Sequence, residues 1–264
     1  MSPPLQLRLG ARLGAGGLSR VWGATMADGT AVAVKVCDPA VANPAAARAL
    51  VSREYALLEA LSHRHIVSVF GLMDMAGTGT GGGLGLVMEY VGGGDLVSLT
   101  GSRPAKWLPV AAQLADALRY LHASGVVHRD VKARNVLLRP GDEPCLIDFG
   151  LAGAAGGWAP RGGGTAAYQS PNQRRGGPPA PSDDVFAFAV LVYELWTGTL
   201  PFGRNPSLPT PERAVEARMA PVLRTSRGLE RLAELVRGAL RAPRKDPHGG
   251  IEGFADALEL ALAD

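Results

Sequence analysis

The segment from His128 to Gly150 constrains this chain more than any other part of its sequence. It reads HRDVKARN and then, after two short apolar runs, DFG. It places a carboxylate that can accept a proton, Asp130, close to a cation, Lys132, and to two oxygen donors, Asn135 and Asp148. Oxygen donors suit a hard ion such as Mg²⁺, and a fixed cation stabilises negative charge on phosphoryl oxygens. The set indicates transfer of a phosphoryl group to a hydroxyl.

The two motifs resemble the catalytic and metal-binding loops of the eukaryotic-type protein kinases. The other motifs of that family follow in the right order over nearly the whole chain. The resemblance implies that Asp130 is the catalytic base, that Lys132 neutralises phosphoryl oxygens, and that Asn135 and Asp148 hold Mg²⁺.

The resemblance also implies one α+β protein kinase domain over 1–264 with a bilobal fold. A small antiparallel β-sheet lobe with one helix is expected over 1–87, a hinge over 88–94 and a larger, mainly α-helical lobe over 95–264. ATP, the expected cofactor together with Mg²⁺, would bind in the cleft between the lobes.

A glycine-rich segment near the N-terminus, LGAGGLSRV, is predicted to be the phosphate loop. Glycine lets backbone N–H groups approach phosphates without a Cβ in the way. Gly14 and Gly16 match the family pattern GxGxxG, and Ser19 replaces the third glycine. With 35 glycines in the chain, a plain hairpin turn would explain the motif if it stood alone. The resemblance assigns nucleotide contacts here to Leu13, Gly14, Ala15 and Gly16.

An apolar strand with one lysine, AVAVKV, follows the phosphate loop. A lone lysine on such a strand usually extends to solvent, but after a phosphate loop Lys35 resembles the kinase lysine that contacts the α- and β-phosphates. Its acidic partner is expected on a helix over 44–62. Glu54 is preferred to Glu59, because the sequence HRHIV at 63–67 matches the family's turn after this helix.

The strand over 85–91 resembles the hinge that binds adenine. Main-chain groups of Glu89 and Val91 would bind the base, Met88 would lie at the back of its pocket, and Asp95 would contact the ribose. The residues expected to sandwich the adenine ring are Val21, Ala33 and Leu137. Ordinary strand core is the alternative interpretation for these apolar residues.

The sequence GTAAYQSPN at 164–172 resembles the segment that closes the activation loop and holds the protein substrate. Lys132 and Thr165 together indicate the serine/threonine class rather than the tyrosine class. The Thr165 hydroxyl is expected to bridge Asp130 and Lys132.

Asn172 stands where the family usually has a glutamate. The arginine that normally pairs with that glutamate is expected at or near Gly250 and is also absent. Losing both partners of a buried ion pair can be nearly neutral, so we interpret the two changes as coupled. Arg244 is an alternative partner for Asn172.

Two helices are predicted in the second half of the chain. The run DVFAFAVLVYEL at 184–195 is apolar almost all round and should be buried. Asp184 is expected to hold the backbone of the catalytic loop, and Asp183 is the weaker candidate. A closing helix over 251–263 is expected to pack Phe254, Leu258 and Leu262 inward.

Residues 151–164 read LAGAAGGWAPRGGG and contain no Ser, Thr or Tyr. Arg129 is typical of kinases that are switched on by phosphorylation of this loop. We therefore predict that this chain is not activated by phosphorylation there. Regulation elsewhere, or ordering of the loop by a partner through Trp158, is the alternative.

Gly- and Pro-rich stretches at 77–83 and 175–181 are predicted to be flexible insertions.

The bulk properties exclude several other classes. The net charge is +3 and the sequence pI about 9.1, with basic residues scattered along the chain, which does not indicate nucleic-acid binding. Neither a signal peptide nor a transmembrane segment is predicted. Cys37 and Cys145 are predicted to be buried thiols of a cytoplasmic or otherwise intracellular protein. The expected partners are ATP and a protein substrate, with any activating protein unidentified.

Two other functions fit the same fold. A pseudokinase would bind nucleotide or partner proteins without transfer, but Lys35, Glu54, Asp130, Lys132, Asn135 and Asp148 are all present. A small-molecule kinase would usually lack the segment from Thr165 to Pro171 and the lysine two residues after the catalytic aspartate. The residue before Asn135 is a cation, Arg134, and Asp95 is the only acidic group expected nearby. This predicts little preference for strongly basic substrates.

Overall fold

A computed structural model describes residues 7–15, 19–37, 43–80, 83–160, 164–204, 212–224, 228–241 and 250–263. The chain divides into two compact units, Met1–Gly92 and Gly93–Asp264. The division falls inside the segment 88–94 that was expected to be a hinge.

The described part of the first unit is an antiparallel sheet and one helix, as expected for the small lobe. The five strands pair in the order β1-β2-β3-β5-β4. Their bounds are β1 Leu7–Ala15, β2 Ser19–Met26, β3 Ala31–Cys37, β4 Val69–Asp74 and β5 Leu84–Glu89. Helix α1, Pro44–Glu59, begins where the Asn43 side chain accepts a hydrogen bond from Ala46 N, which satisfies one of the free N–H groups of the first turn.

The two faces of this sheet have different roles. Alternation along a strand sends neighbouring side chains to opposite faces. One face packs into an apolar core of Ala24, Val32, Val34, Val36, Met75 and Val87. Cross-strand pairs place Val21 beside Lys35, and Ala33 beside Met88, on the other face. A single lysine therefore stands among small and apolar side chains on the face away from the core.

The described part of the second unit is mainly helical. Its helices are α2 Pro104–Ala123, α3 Pro171–Arg174, α4 Pro181–Thr197, α5 Glu212–Arg224, α6 Glu230–Leu240 and α7 Gly250–Ala263. Helix α4 is buried along most of its length, as its apolar sequence predicts, and contacts α2, α6 and α7. On α7, Phe254 and Leu258 are buried, but Leu262 is 46% exposed, so the prediction that it packs inward is wrong. Leu262 lies in the last turn, beyond the part of α7 that is buried.

Two short antiparallel pairs complete this unit. Strand β6, Val126–Val127, pairs with β9, Gly153–Ala154, and β7, Val136–Arg139, pairs with β8, Glu143–Leu146. The β7-β8 hairpin begins directly after Asn135 and ends shortly before Asp148. Because Ile147 N donates to Asn135 O at 2.9 Å, the hairpin brings the two ends of this segment together.

Both segments that were expected to be flexible insertions contain specific hydrogen bonds. Thr78 Oγ1 donates to Met75 O at 2.6 Å, and Thr80 is buried; Gly81 and Gly82 lie outside the described residues. In the second segment, Gly177 N donates to Asn172 O at 3.0 Å. The flexibility of the two segments stays a prediction. Cys37 and Cys145 are buried thiols, as predicted. Among the helices that the structure describes, none is both long and apolar enough to cross a membrane.

Candidate active site

The first unit joins the predicted lysine to the predicted glutamate. Lys35 Nζ lies 2.7 Å from Glu54 Oε1 and 2.8 Å from Oε2, and both side chains are buried. Glu59, the alternative partner, instead accepts a hydrogen bond from the Tyr55 hydroxyl and is exposed. The register chosen from the turn after α1 is therefore confirmed. Removing one partner of such a buried pair typically costs about 3–5 kcal/mol.

Several expected nucleotide contacts share the sheet face of Lys35. Val21 pairs with Lys35, and Gly14 pairs with Val21, so Val21 lies between the end of β1 and the lysine in the sheet. Leu13 is half exposed, and its side chain lies over Gly23. A Cβ added at Gly23 would be 3.5 Å from Leu13 Cδ2. Ala15 pairs with Arg20, whereas Gly16 lies outside the described residues.

The hinge-side residues lie at the end of β5 and just after it. Met88 and Val91 are buried and Glu89 is half-buried. Glu89 N donates to Ser68 O at 2.9 Å, so this N–H is already used within the unit.

The second unit gathers the catalytic loop around one carboxylate. Lys132 Nζ donates to Asp130 Oδ2 at 2.6 Å, and Asn135 Nδ2 donates to the same oxygen at 2.8 Å and to Asp130 O at 2.9 Å. Asp130 and Asn135 are both buried. Oδ1 of Asp130 accepts no hydrogen bond from any residue that the structure describes. It faces Gly164, where an added Cβ would lie 3.4 Å away. Two donors thus orient the carboxylate and leave one oxygen for a ligand.

The Thr165 hydroxyl does not bridge Asp130 and Lys132 in this structure. Thr165 is exposed, and its hydroxyl makes no hydrogen bond with either residue, both of which are described. Lys132 Nζ donates to Asp130 Oδ2 directly, and the exposed Thr165 side chain faces solvent instead. The predicted contact is not formed here.

Asp184 holds the backbone of this loop, as expected. Its Oδ2 accepts from His128 N at 2.8 Å and its Oδ1 from Arg129 N at 2.7 Å, while Arg129 has a left-handed φ of 66°. His122 Nε2 lies 3.0 Å from Oδ2. Burial raises the pKa of Asp184, but the hydrogen bonds and charges of His122 and His128 outweigh it and hold the pKa below its ordinary value. His122 was not found from the sequence, because no local motif marks it.

Asp148 follows β8 with a left-handed φ of 65° and is half-buried. The next residue, Phe149, is fully buried, with its ring 4.6 Å from that of His128 in a T-shaped arrangement. His128 Nε2 lies 3.1 Å from Ile147 O. Phe149 and His128 therefore fix the chain on both sides of Asp148. The nitrogen of the Asn135 amide is held by Asp130. The Asn135 amide and the Asp148 carboxylate both carry oxygen atoms, the type of ligand that suits Mg²⁺.

Residues 7–234 match the family model of the protein kinase domain. The chain belongs to the protein kinase family. It is 34% identical over 97% of its length to the serine/threonine-protein kinase Pkn1 of Myxococcus xanthus, covering 38% of that protein. It is 38% identical over 74% of its length to CBL-interacting protein kinase 4 of Oryza sativa subsp. japonica, covering 45% of it. It is also 38% identical over 68% of its length to PkaA of Streptomyces coelicolor, covering 34% of it. This kinase domain thus spans less than half the length of each of these relatives, and its resemblance to the serine/threonine class is confirmed.

In the second unit of the kinase domain, the chain after Gly92 runs beside β7. Gly93 N donates to Leu138 O at 3.0 Å, and Leu138 N donates to Gly94 O at 2.9 Å. An added Cβ at Gly93 would lie 2.2 Å from Leu138 O, so this approach requires glycine. The pairing places Asp95 opposite Leu137, which brings together the residues expected at the ribose and at the adenine.

Asn172 of the kinase domain has a different partner from those considered from the sequence. Its Nδ2 donates to both carboxylate oxygens of Asp183 and to Pro178 O at 3.0 Å. Arg244 lies outside the described residues. Asp183 is fully buried and also accepts from the Ser170 hydroxyl and from Ala180 N. Asp183 is therefore a structural anchor for Ser170 and Asn172, a role that the sequence did not indicate.

Proposed function

We propose that this kinase domain transfers the γ-phosphoryl group of ATP to serine and threonine hydroxyls of protein substrates. The observation that carries the proposal is the orientation of Asp130, whose Oδ2 is held by Lys132 and Asn135 while Oδ1 accepts no described hydrogen bond. Geometry of this kind suits a general base, which must be held within reach of the hydroxyl proton that it accepts.

The proton of the substrate hydroxyl passes to Asp130 Oδ1 in this mechanism. Lys132 Nζ, 2.6 Å from Oδ2, lies close enough to the same site to balance negative charge on the phosphoryl oxygens. Thr165, although exposed in this structure, is proposed to join the site when substrate is present. Asp184 keeps the loop in place through its bonds to the N–H groups of His128 and Arg129.

Residues of the first unit are proposed to hold the nucleotide. Lys35, fixed by Glu54, would contact the α- and β-phosphates, and backbone groups of Leu13–Gly16 would contact the phosphates from the glycine-rich segment. The base would be bound by main-chain groups of Glu89 and Val91 and packed against Val21, Ala33 and Met88. Of the second unit, Leu137 would contact the adenine and Asp95 the ribose.

Mg²⁺ would be held by Asn135 and Asp148, and when bound it would neutralise charge on the ATP phosphates. The chain's own contribution is the orientation of the two oxygen donors by Asp130 and by the buried Phe149.

The pseudokinase alternative has no supporting observation. The six chemical positions retain their residue types, and the two buried clusters, Lys35 with Glu54 and Asp130 with Lys132 and Asn135, are formed. A small-molecule kinase is disfavoured by the substrate segment at 164–172, which is anchored through Asp183.

The charge near the catalytic loop bears on substrate choice. Arg134 Nη1 lies 3.7 Å from Asp95 Oδ2, so this acidic group already faces a cation. We therefore propose little preference for strongly basic substrate peptides. A peptide array that shows a dominant requirement for arginine upstream of the phosphorylated residue would contradict this.

The test is transfer from Mg-ATP to the chain itself and to a generic protein substrate, read by mass spectrometry beside an Asp148→Asn control. Phosphoserine or phosphothreonine that is absent from the control is the expected result. Nucleotide binding without transfer would contradict the proposal and would favour the pseudokinase function.

A further inference from the structure

The second unit contains a cavity of about 490 Å³ that the proposed reaction does not use. Residues 157–160, from the segment after Asp148-Phe149-Gly150, form part of its wall, and residues 176–179, after α3, form another part. Arg129 and Arg174 also line it, and none of the lining residues is acidic. The cavity is therefore a positively charged pocket next to the catalytic loop.

Arg129 brings an unsatisfied donor to this pocket. Its side chain is buried, with 8% of the residue exposed, and its Nε has no hydrogen-bond partner among the described residues. Its backbone is fixed on both sides, because Arg129 N donates to Asp184 and Gln173 Nε2 donates to Arg129 O at 2.8 Å. A buried charged donor without an acceptor is unfavourable. A ligand that supplies an acceptor oxygen would remove that penalty.

Arg174 adds a second guanidinium. Its Nη2 donates to Ala166 O at 2.5 Å, which anchors the side chain to the substrate segment, and burial lowers its pKa. Two guanidinium groups that line one cavity without acidic residues suit an anion with several acceptor oxygens. A phosphoryl group provides three such oxygens.

The phosphoryl group has to come from outside the loop that lines the cavity. Residues 151–164 contain no Ser, Thr or Tyr, and Thr165, the next hydroxyl, is not among the lining residues. Trp158 lines the cavity and is 67% exposed, which leaves a large aromatic surface for a flanking peptide.

We propose that this cavity binds a phosphorylated serine or threonine carried by another polypeptide. Arg129 and Arg174 contact the phosphoryl group, and Trp158 packs against the residues beside it. The site would recruit proteins that a serine/threonine kinase has already modified, and it requires no phosphorylation of the loop itself.

The test is a binding measurement on the whole, phosphatase-treated chain without ATP, so its result does not depend on catalysis. The probes are fluorescent peptide libraries with a fixed central phosphothreonine, threonine or glutamate, read by anisotropy, with inorganic phosphate as competitor. Arg174→Gln removes the proposed contact, and Arg175→Gln is the matched control, since Arg175 is the exposed neighbour and does not line the cavity. Trp158→Ala removes an exposed side chain and provides a second variant if Arg174→Gln does not fold.

Binding of the phosphothreonine library alone is expected, weakened about tenfold by Arg174→Gln and little changed by Arg175→Gln. Trp158→Ala should also weaken it. Equal binding of the three libraries would overturn the proposal, as would equal losses in the two arginine variants. Binding of inorganic phosphate with no preference for a phosphorylated peptide would reduce the cavity to a simple anion site and would also overturn it.

Discussion

Asn172 donates its side-chain amide to the buried carboxylate of Asp183, at 3.1 Å to Oδ1 and 3.2 Å to Oδ2. The same carboxylate accepts from Ala180 N at the start of α4 and from the Ser170 hydroxyl that precedes α3. A neutral amide thus joins α3 to α4, at a position where the family usually has a glutamate. Within the described residues, this arrangement accounts for Asn172 without a distant arginine.

The close approach of Gly177 to Asn172 provides a first prediction. A Cβ at Gly177 would lie 2.0 Å from Asn172 Oδ1, so Gly177→Ala should destabilise the fold by about 1–3 kcal/mol through overpacking. In an Asn172→Ala background the clash is removed, and the added cost should be much smaller. Denaturant unfolding of the four proteins gives the coupling free energy. Additive costs would mean that the two side chains do not meet.

The Lys35–Glu54 pair provides a second prediction. Glu54→Gln removes the charge that orients the buried ammonium, and kcat/KM for ATP should fall by about 10- to 100-fold, the equivalent of roughly 1.4–2.7 kcal/mol. Glu59→Gln is the matched control on the same helix, because Glu59 is exposed and contacts Tyr55. Steady-state kinetics with ATP as the varied substrate measures both. Similar losses in the two variants would contradict the assignment.

Asp130 provides a third prediction. Asp130→Asn keeps the shape of the side chain but removes the proton acceptor, so kcat should fall by about 10²- to 10⁴-fold. Nucleotide affinity should be nearly unchanged, because the proposed adenine and phosphate contacts lie elsewhere. Single-turnover transfer and nucleotide titration separate the two effects. The exposed Asp256→Asn variant controls for the loss of one carboxylate. Retention of near-normal kcat in Asp130→Asn would exclude Asp130 as the base.

Asp184 provides a prediction about pH. Its pKa in the folded state is lowered, so its contribution to stability is present above the unfolded pKa of about 3.9 and is lost as the pH falls through the folded value. At pH 6, Asp184→Asn should therefore destabilise the fold, by about 1.5–3 kcal/mol, because the backbone N–H groups of His128 and Arg129 lose a charged acceptor. The difference from the wild type should shrink as the pH falls from 5 towards 3. Urea unfolding at several pH values checks this, with Asp256→Asn as the exposed control.

The hydroxyl-free loop provides a last prediction. Because residues 151–164 contain no acceptor, the active protein should carry no phosphate there, and phosphatase treatment should leave its activity on a protein substrate unchanged. Intact-protein and peptide mass spectrometry before and after treatment measures this. A loss of activity that follows removal of phosphate from Thr165 would instead place the switch just outside the loop.

Patterns of the sequence predicted much of the site because the chemistry is concentrated in short segments. The loop around Asp130 needs its donors within five residues, and Lys132 and Asn135 are both that close. The pairing of Lys35 with Glu54 was predicted from a helix register, which a neighbouring turn determines. His122 shows the limit, because it meets Asp184 across 62 positions of the chain and no local signal marks the contact.

The amino-acid sequence by itself determined the family, because short motifs are local properties. The resemblance to that family then predicted the small antiparallel sheet with its helix and the helical second unit. Only the tertiary structure decided that Lys132 contacts Asp130 while the Thr165 hydroxyl does not. It also decided that Asn172 donates to Asp183 and that Arg129 and Arg174 line one cavity. Those outcomes depend on which backbone and side-chain groups packing brings within hydrogen-bond distance. Contacts between residues far apart in the chain leave no pattern in the local sequence.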